Sequence, residues 1–310
     1  MIRAWHTALA FAAAMLRSLP AGARELWVGP TRVLKVPSQA ATVAADGDVV
    51  RIDPGTYKDC AVWTASRLLI EATGPGVLLA GKTCDEKAIF ITVGADITVR
   101  GLTFADASVV GHNGAGIRAA GDNLTVEDSE FLSNENGILA GGSSNSVLRI
   151  TGSTFVGNGA CVGYCAHGVY AGAAIYLLDI DNCLFLDNKI AHHIKSRALN
   201  TIVRNSRIED GPTGTSSYLI DVPDGGNVLI QDNVMEKGRL SDNPGVAISI
   251  GEGSANNPTV VQIVRDTVFR SDLPDRVTFV RDSTGKPVAL IGNTFTGDVE
   301  SLSEPAGPLR

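Results

Sequence analysis

The chain has 310 residues, 26 Lys and Arg against 33 Asp and Glu, a formal net charge of −7 and 44% hydrophobic residues. An acidic balance argues against a nucleic-acid partner, whose binding rests on clustered Lys and Arg. It does not exclude an acidic sugar polymer, because a local basic strip can sit on an acidic body.

Met1 to Ala23 combines Arg3 in a basic start, an apolar run from Thr7 to Leu16 and the small-residue exit Ala21-Gly22-Ala23. It reads as a cleaved signal peptide, residues 1–23. The run is too short to span a bilayer as a helix. The expectation is therefore a secreted or periplasmic protein with no membrane anchor after cleavage, its main domain covering 24–298 and a flexible C-terminal tail covering 299–310. Losing Arg3 and Arg17 leaves 24 basic residues against the same 33 acidic.

In Val33 to Tyr57, Pro37 to Ala45 predicts one short helix, Asp46-Gly47-Asp48 a turn, and Val49 to Ile52 a strand ended by Pro54-Gly55. A cap is the expected role, since an open sheet end exposes unpaired strand groups. Asp46 and Asp48 offer too few oxygen ligands for a calcium site. No cofactor is expected, calcium being the one ion left open. The five cysteines suit an exported chain. Cys60 and Cys84 lie nearly one repeat apart, Cys161 and Cys165 can close a small loop, and Cys183 is left to pack. Bridges or buried thiols are favoured over metal ligands, because no paired CxxC or nearby His at zinc spacing accompanies them.

From Ile97 onward one cassette recurs: strand, turn residue, second strand. It reads ITVRGLTF to Phe104, LTVEDSEF to Phe131, LRITGSTF to Phe155, LDIDNCLF to Phe185, TIVRNSRI to Ile208, VLIQDNVM to Met235, QIVRDTVF to Phe269 and VALIGNTF to Phe295. The last positions are 27, 24, 30, 23, 27, 34 and 26 residues apart. A period near 25 with no helical periodicity between cassettes indicates a parallel β-solenoid, in which no repeat buries its own apolar face alone. A second short strand follows each cassette: Gly116-Ile117-Arg118, Gly137-Ile138-Leu139, Gly168-Val169-Tyr170 and His193-Ile194-Lys195. Asn113, Asn134, Asn136 and Asn158 fall near turns, where Asn tolerates left-handed backbone.

Unusual side chains concentrate in the middle of the chain. With Ile194 pointing inward, alternation puts His193, Lys195 and Arg197 on one outer face. His167 and Tyr170 fall near that face one coil earlier. One coil later Asp221 comes beside Lys195 if Ile220 and Val222 point inward, with Tyr218 ambiguous because the opposite parity would expose it and bury Asp221. Glu252 follows on the next coil, and His112 and Arg118 mark the groove margin on an early one. Stacked ladders of outward side chains make a groove, which points to a long polymeric ligand.

GHNGAGIR, NENGIL, AHGVY, AHHIKSRA, GTSSYLIDVPDGGN and ISIGEG, together with the opening segment Val33 to Tyr57, resemble bacterial exported right-handed β-helix repeat proteins of the pectate-lyase-like superfamily over about residues 30–298. The resemblance implies an all-β fold, a right-handed single-stranded parallel β-helix of about ten coils with a short N-terminal capping helix. It also implies a polysaccharide partner, in a superfamily of polysaccharide lyases, uronan epimerases and glycoside hydrolases. This chain lacks the Asp-Pro-His-Glu run of the epimerases and an aspartate cluster for the calcium of pectate lyases.

The chemistry expected is β-elimination on a uronic-acid polysaccharide. Arg197 would neutralise the sugar carboxylate, Lys195 or His193 would remove the adjacent proton, Tyr218 or His167 would protonate the leaving oxygen, and Asp221 would orient the base. Tyr170, Glu252, Arg118 and His112 would bind substrate. Two alternatives stay open: a glycoside hydrolase built on Asp221 and Glu252, and a non-catalytic solenoid that binds polysaccharide or serves the envelope structurally.

Overall fold

Each cassette contains one residue that must adopt left-handed backbone between two short strands, and that residue sets the winding. In the computed structural model, which describes residues 23–253 and 257–303, Asp128, Asn182, Asn205, Asp232 and Asp266 occupy this place at φ 49 to 54°. Gly101, Gly152 and Gly292 take it on other coils at φ 62 to 70°. Asn, Asp and Gly are the residues for which this conformation is least costly. The turn carries the chain from a first sheet into a second, and a further corner carries it into a third.

The three parallel sheets have 11, 10 and 10 strands. The first runs from Glu25–Val28 to Ala289–Ile291, the second from Gly55–Tyr57 to Thr294–Thr296, and the third from Ala61–Trp63 to Val299–Ser303. Successive coils pair strand on strand, as Leu124–Glu127 does with Ile97–Arg100 before it and Ser146–Thr151 after it. This is the expected parallel β-helix of about ten coils.

Equivalent positions form ladders in the core. Phe104, Phe131, Phe155 and Phe185 stack with centroids 5.2, 4.6 and 4.6 Å apart and planes within 11° of parallel; Ile208, Met235 and Phe269 continue the column. Beside it, buried side chains satisfy the backbone of the coil before: Leu102 N donates to Ser129 Oγ, Ser129 N to Ser153 Oγ and Ser206 N to Asn233 Oδ1. Asn134 and Asn158 do the same at the next corner, accepting from Ala107 N and Asn134 N. Buried polar groups are thereby paired coil to coil.

The helix is Pro37–Val43, two residues shorter than expected, with Pro37 and Ala40 buried against the first coils. Asp48 is taken by Arg24 and by Ala45 N, and Asp46 by Ser66 N and Arg67. Among the described residues, no group of three His, Cys, Asp or Glu is placed to hold a metal ion. At the other end, the tail expected from residue 299 is corrected: Val299–Ser303 is a paired strand, parallel to Val277–Asp282. Its Val299 and Leu302 pack against the core and complete the third side of the last coil. Residues 1–22 of the expected signal peptide and 304–310 of the tail lie outside the described residues. No described helix is long and apolar enough to cross a membrane.

Disulfides join Cys60 to Cys84 and Cys161 to Cys165. Cys183 is buried in the cassette turn, where burial pushes its thiol up to about 12.

Candidate functional site

The outer surface of the third sheet carries one row of side chains in strict register. From coil to coil it reads Val62, Ile91, Arg118, Leu139, Tyr170, Lys195, Asp221, Ser249 and Arg281. Neighbours in the row are about 4.8 Å apart. The row is apolar at its N-terminal end except for Arg118, and polar or charged from Tyr170 onward. Lys195 and Asp221 are therefore vertical neighbours, as expected, and Lys195 Nζ donates to Asp221 Oδ2 at 2.8 Å. Asp221 lies on the outer face yet is only 3% exposed, since Lys195 and His192 cover it. Burial raises its carboxyl pKa, and Lys195 opposes that rise.

The expected outward placement of His193 is wrong. His193 is 1% exposed and points into the solenoid, where Nε2 lies 3.1 Å from Asp210 Oδ1. The cause is a bend at the start of the strand that turns two successive residues inward. Gly116, Gly137 and Gly168 hold this position on earlier coils. A Cβ added at Gly137 would lie 2.7 Å from the Phe155 ring and 2.4 Å from Gly168 O. His193 takes the same inward place, beside Phe185. Alternation carried backward through the bend gives the wrong parity, and the residue that faces outward is His192.

His192 stacks on His167 at 4.8 Å and on Tyr218 at 5.0 Å, each pair within 17° of parallel. Each ring also receives a backbone donor from the next coil. His167 Nδ1 accepts from His192 N at 3.2 Å, and His192 Nδ1 accepts from Tyr218 N at 3.1 Å. Asn136 Oδ1 starts the series by accepting from His167 N. An accepting Nδ1 leaves the ring proton of a neutral imidazole on Nε2. Burial, with Lys195 and Arg197 close by, pushes His167 down to about 3, and burial and His167 hold His192 well below the usual histidine value. Both histidines are thus neutral Nε2–H donors, and that of His192 faces Asp221 Oδ2 at 3.4 Å.

These groups line a cleft of about 490 Å³ with Arg118, Leu139, Tyr170, Lys195 and Asn113. One wall is a hairpin, Ala160–Val162 with Tyr164–Ala166, closed by Cys161–Cys165. Arg118 is the cation in the cleft with no carboxylate partner among the described residues. Its guanidinium is half-buried, burial lowers its pKa, and its electrostatic neighbour is the phenol of Tyr170. Arg197 differs. Burial pulls its guanidinium down, but Asp224 and Tyr170 more than restore it, and its Nη1 is bonded to Asp224 Oδ1.

The remaining expected residues lie apart from the cleft wall. Tyr218 and Glu252 belong to a cluster with Arg281: the Tyr218 hydroxyl donates to Glu252 Oε2 at 2.6 Å, and Arg281 Nη2 donates to both. Burial and Glu252 push Tyr218 up to about 12, while hydrogen bonds from Tyr218, Ser249 and Arg281 outweigh burial and lower Glu252. His112 Nδ1 sits 3.2 Å from Glu135 Oε1, which also accepts Gly114 N through Oε2, so this pair fastens a loop.

Beneath the cleft lies a buried group the sequence reading missed. Asp210 comes one residue earlier than the register of Asn134 and Asn158 and is fully buried, bonded to His193 and Ser216 and accepting Gly238 N at 3.0 Å. Lys237, also fully buried, lies 3.9 Å from Asp210 and donates to the carbonyls of Ser216 and Ser217. These contacts fix the backbone that leads into Tyr218.

Fold and site together define a β-solenoid with a donor-lined groove on one outer sheet. The chain belongs to the right handed beta helix region family, which matches residues 87–295. No curated protein matches its sequence. Among solved structures it is similar to PfbA, a surface adhesin of Streptococcus pneumoniae, at 13% identity and TM-score 0.50, covering 86% of this chain and 89% of that one. It is also similar to an alginate lyase from Paenibacillus sp. str. FPU-7, at 16% identity and TM-score 0.48, covering 85% and 96%. A third is the pectin methylesterase PemA from Erwinia chrysanthemi, at 10% identity and TM-score 0.41, covering 88% and 82%. At these identities the likeness is one of fold, a right-handed β-helix.

Proposed function

We propose that the cleft binds an acidic polysaccharide and cleaves it by β-elimination. One observation carries the reading: the half-buried Arg118 guanidinium has no carboxylate partner among the described residues and opens into a cleft walled by hydrogen-bond donors. A sugar carboxylate supplies the missing anion in a bidentate contact. Neutralising that carboxylate acidifies the proton on the adjacent carbon.

Tyr170 lies two rungs from Arg118 in the outer row, with Arg118 and Arg197 both in electrostatic reach of its phenol. The phenol first gives its proton to water, and the two guanidiniums face the phenolate charge that results. Tyr170 then takes the carbon-bound proton and returns one to the leaving glycosidic oxygen, so that the C–O bond breaks as the C=C bond forms. Lys195 and the His167 Nε2–H hold sugar oxygens, while Asp221 fixes Lys195 and takes the Nε2–H of His192. In this assignment Arg118 takes the neutralising part first expected of Arg197, whose charge is already engaged by Asp224.

A non-catalytic binding role is the second reading, favoured by the resting state of the wall: both histidines present protons and Lys195 is ion-paired. The hydrolase reading finds less support, because Asp221 is covered and ion-paired and Glu252 is engaged by Tyr218 and Arg281. Incubation with a panel of uronans, read by the ultraviolet absorbance of unsaturated product, tests the proposal. The expected result is product from at least one uronan, lost in Arg118→Ala and Tyr170→Phe, with binding retained in the Tyr170 variant. Binding without product supports the second reading, and no binding of any acidic glycan overturns both.

A further inference from the structure

The repeat between Phe155 and Phe185 is longer than the coils on either side, and the extra residues build the hairpin beside the cleft. Cys161 and Cys165 are cross-strand partners in it, and Gly163 makes its tip at φ 79°. Among the described residues it is the only antiparallel sheet. Its side chains are unusual for so short a loop: Tyr164 is 87% exposed and Val162 59% exposed, and neither belongs to a core cluster. Packing therefore does not account for an aromatic ring here. The covalent closure does have a physical consequence, since a bridged turn loses little conformational entropy when a ligand settles on it.

Gly163, Tyr164 and Cys165 face the same cleft as Arg118 and Tyr170. From this placement we infer that Tyr164 is an aromatic subsite, a ring on which the pyranose next to the one held at Arg118 stacks. The inference rests on the acidic-glycan reading above and deepens it. An aromatic face meets the C–H-rich face of a pyranose through dispersion and burial, while Arg118 meets a carboxylate. In this assignment the two contacts serve successive sugars of one chain, so a single uronate engages one of them and an oligouronate both. The hairpin would thereby select chains over monomers.

The test is calorimetric titration of the intact protein with a monouronate and with oligouronates of increasing length, using Tyr164→Ala, Tyr164→Phe and Arg118→Ala. The expected result is a loss of oligouronate affinity of about 3- to 10-fold in Tyr164→Ala, near-complete recovery in Tyr164→Phe, and no change for the monomer. Cys161→Ser with Cys165→Ser, which frees the turn without removing the ring, should weaken oligomer binding in the same direction. A loss below threefold in Tyr164→Ala, with Arg118→Ala still abolishing binding, overturns the subsite and leaves the cleft standing. Equal losses for monomer and oligomer overturn it as well. If no uronate binds the unaltered protein, both the subsite and the reading beneath it fall.

Discussion

Lys237 supplies a stability test that depends on the interior alone. Its ammonium is fully buried, with Asp210 at 3.9 Å and two backbone carbonyls as acceptors. Burial lowers its pKa from 10.5 to about 8, with Asp210 and Asp242 opposing the fall. Between those two values the unfolded chain holds a proton that the folded chain has released, so stability rises with pH across the window. Below pH 8 both states are protonated and the cost of burying the charge is constant. Above pH 10.5 both are neutral and the gain is complete. At about 1.4 kcal/mol per unit, the gain amounts to about 3 kcal/mol. Other groups titrate in the same range, so the quantity to measure is the difference between the unaltered protein and Lys237→Met. Urea unfolding followed by far-ultraviolet circular dichroism from pH 7.5 to 10.5 should show the unaltered protein gaining about 3 kcal/mol on the variant. A difference that stays flat would refute the placement of a charged lysine inside the solenoid.

Phe155→Ala removes a ring stacked on both sides and should cost about 3–5 kcal/mol, whereas Phe295→Ala, at the same cassette position but 38% exposed, should cost about 1; equal shifts in the urea midpoint would contradict the stacked core. Gly137→Ala should destabilise by about 1–3 kcal/mol, because the added carbon meets the Phe155 ring and Gly168 O. A neutral effect in the same assay would remove the explanation for the bend. Lys195→Met leaves Asp221 buried beside a neutral His192, with Arg197 and Glu252 as more distant charges of opposite sign, at a cost of about 3–5 kcal/mol near pH 7. Since burial already raises the Asp221 pKa, the folded variant keeps a proton that the unfolded chain loses above about 4, and its deficit should grow from pH 4 to pH 7. The same deficit at both pH values would count against this account of the pair.

The winding was legible because its determinants are local. Each cassette carries its own alternation and its own left-handed turn residue, so Asp128 or Asn182 announces a corner without reference to any distant residue. Ladders are legible as well once the period is known, and the outer neighbours Tyr170, Lys195 and Asp221 follow from it. The error at His193 came from extending strand alternation past the strand. The column Gly116, Gly137, Gly168, His193 held the signal, since a position held by Gly on three coils is one where a side chain meets its surroundings. The residue before it on each coil, from Asn136 through His167, is the outward column that contains His192. Partner choice was beyond reach from sequence. Whether Arg118 or Arg197 keeps a free charge depends on where Asp224 falls, a matter of loop placement between coils. The long interval before Phe185 marked an insertion, but not which face the hairpin would overhang.

The most direct test of the account is a crystal structure of the protein with an oligouronate bound. The account predicts a sugar carboxylate paired with the Arg118 guanidinium, the Tyr170 hydroxyl beside the neighbouring ring carbon, and the chain lying over the third sheet against the hairpin. A saccharide seated on the first or second sheet, or one whose carboxylates leave Arg118 untouched, would contradict it.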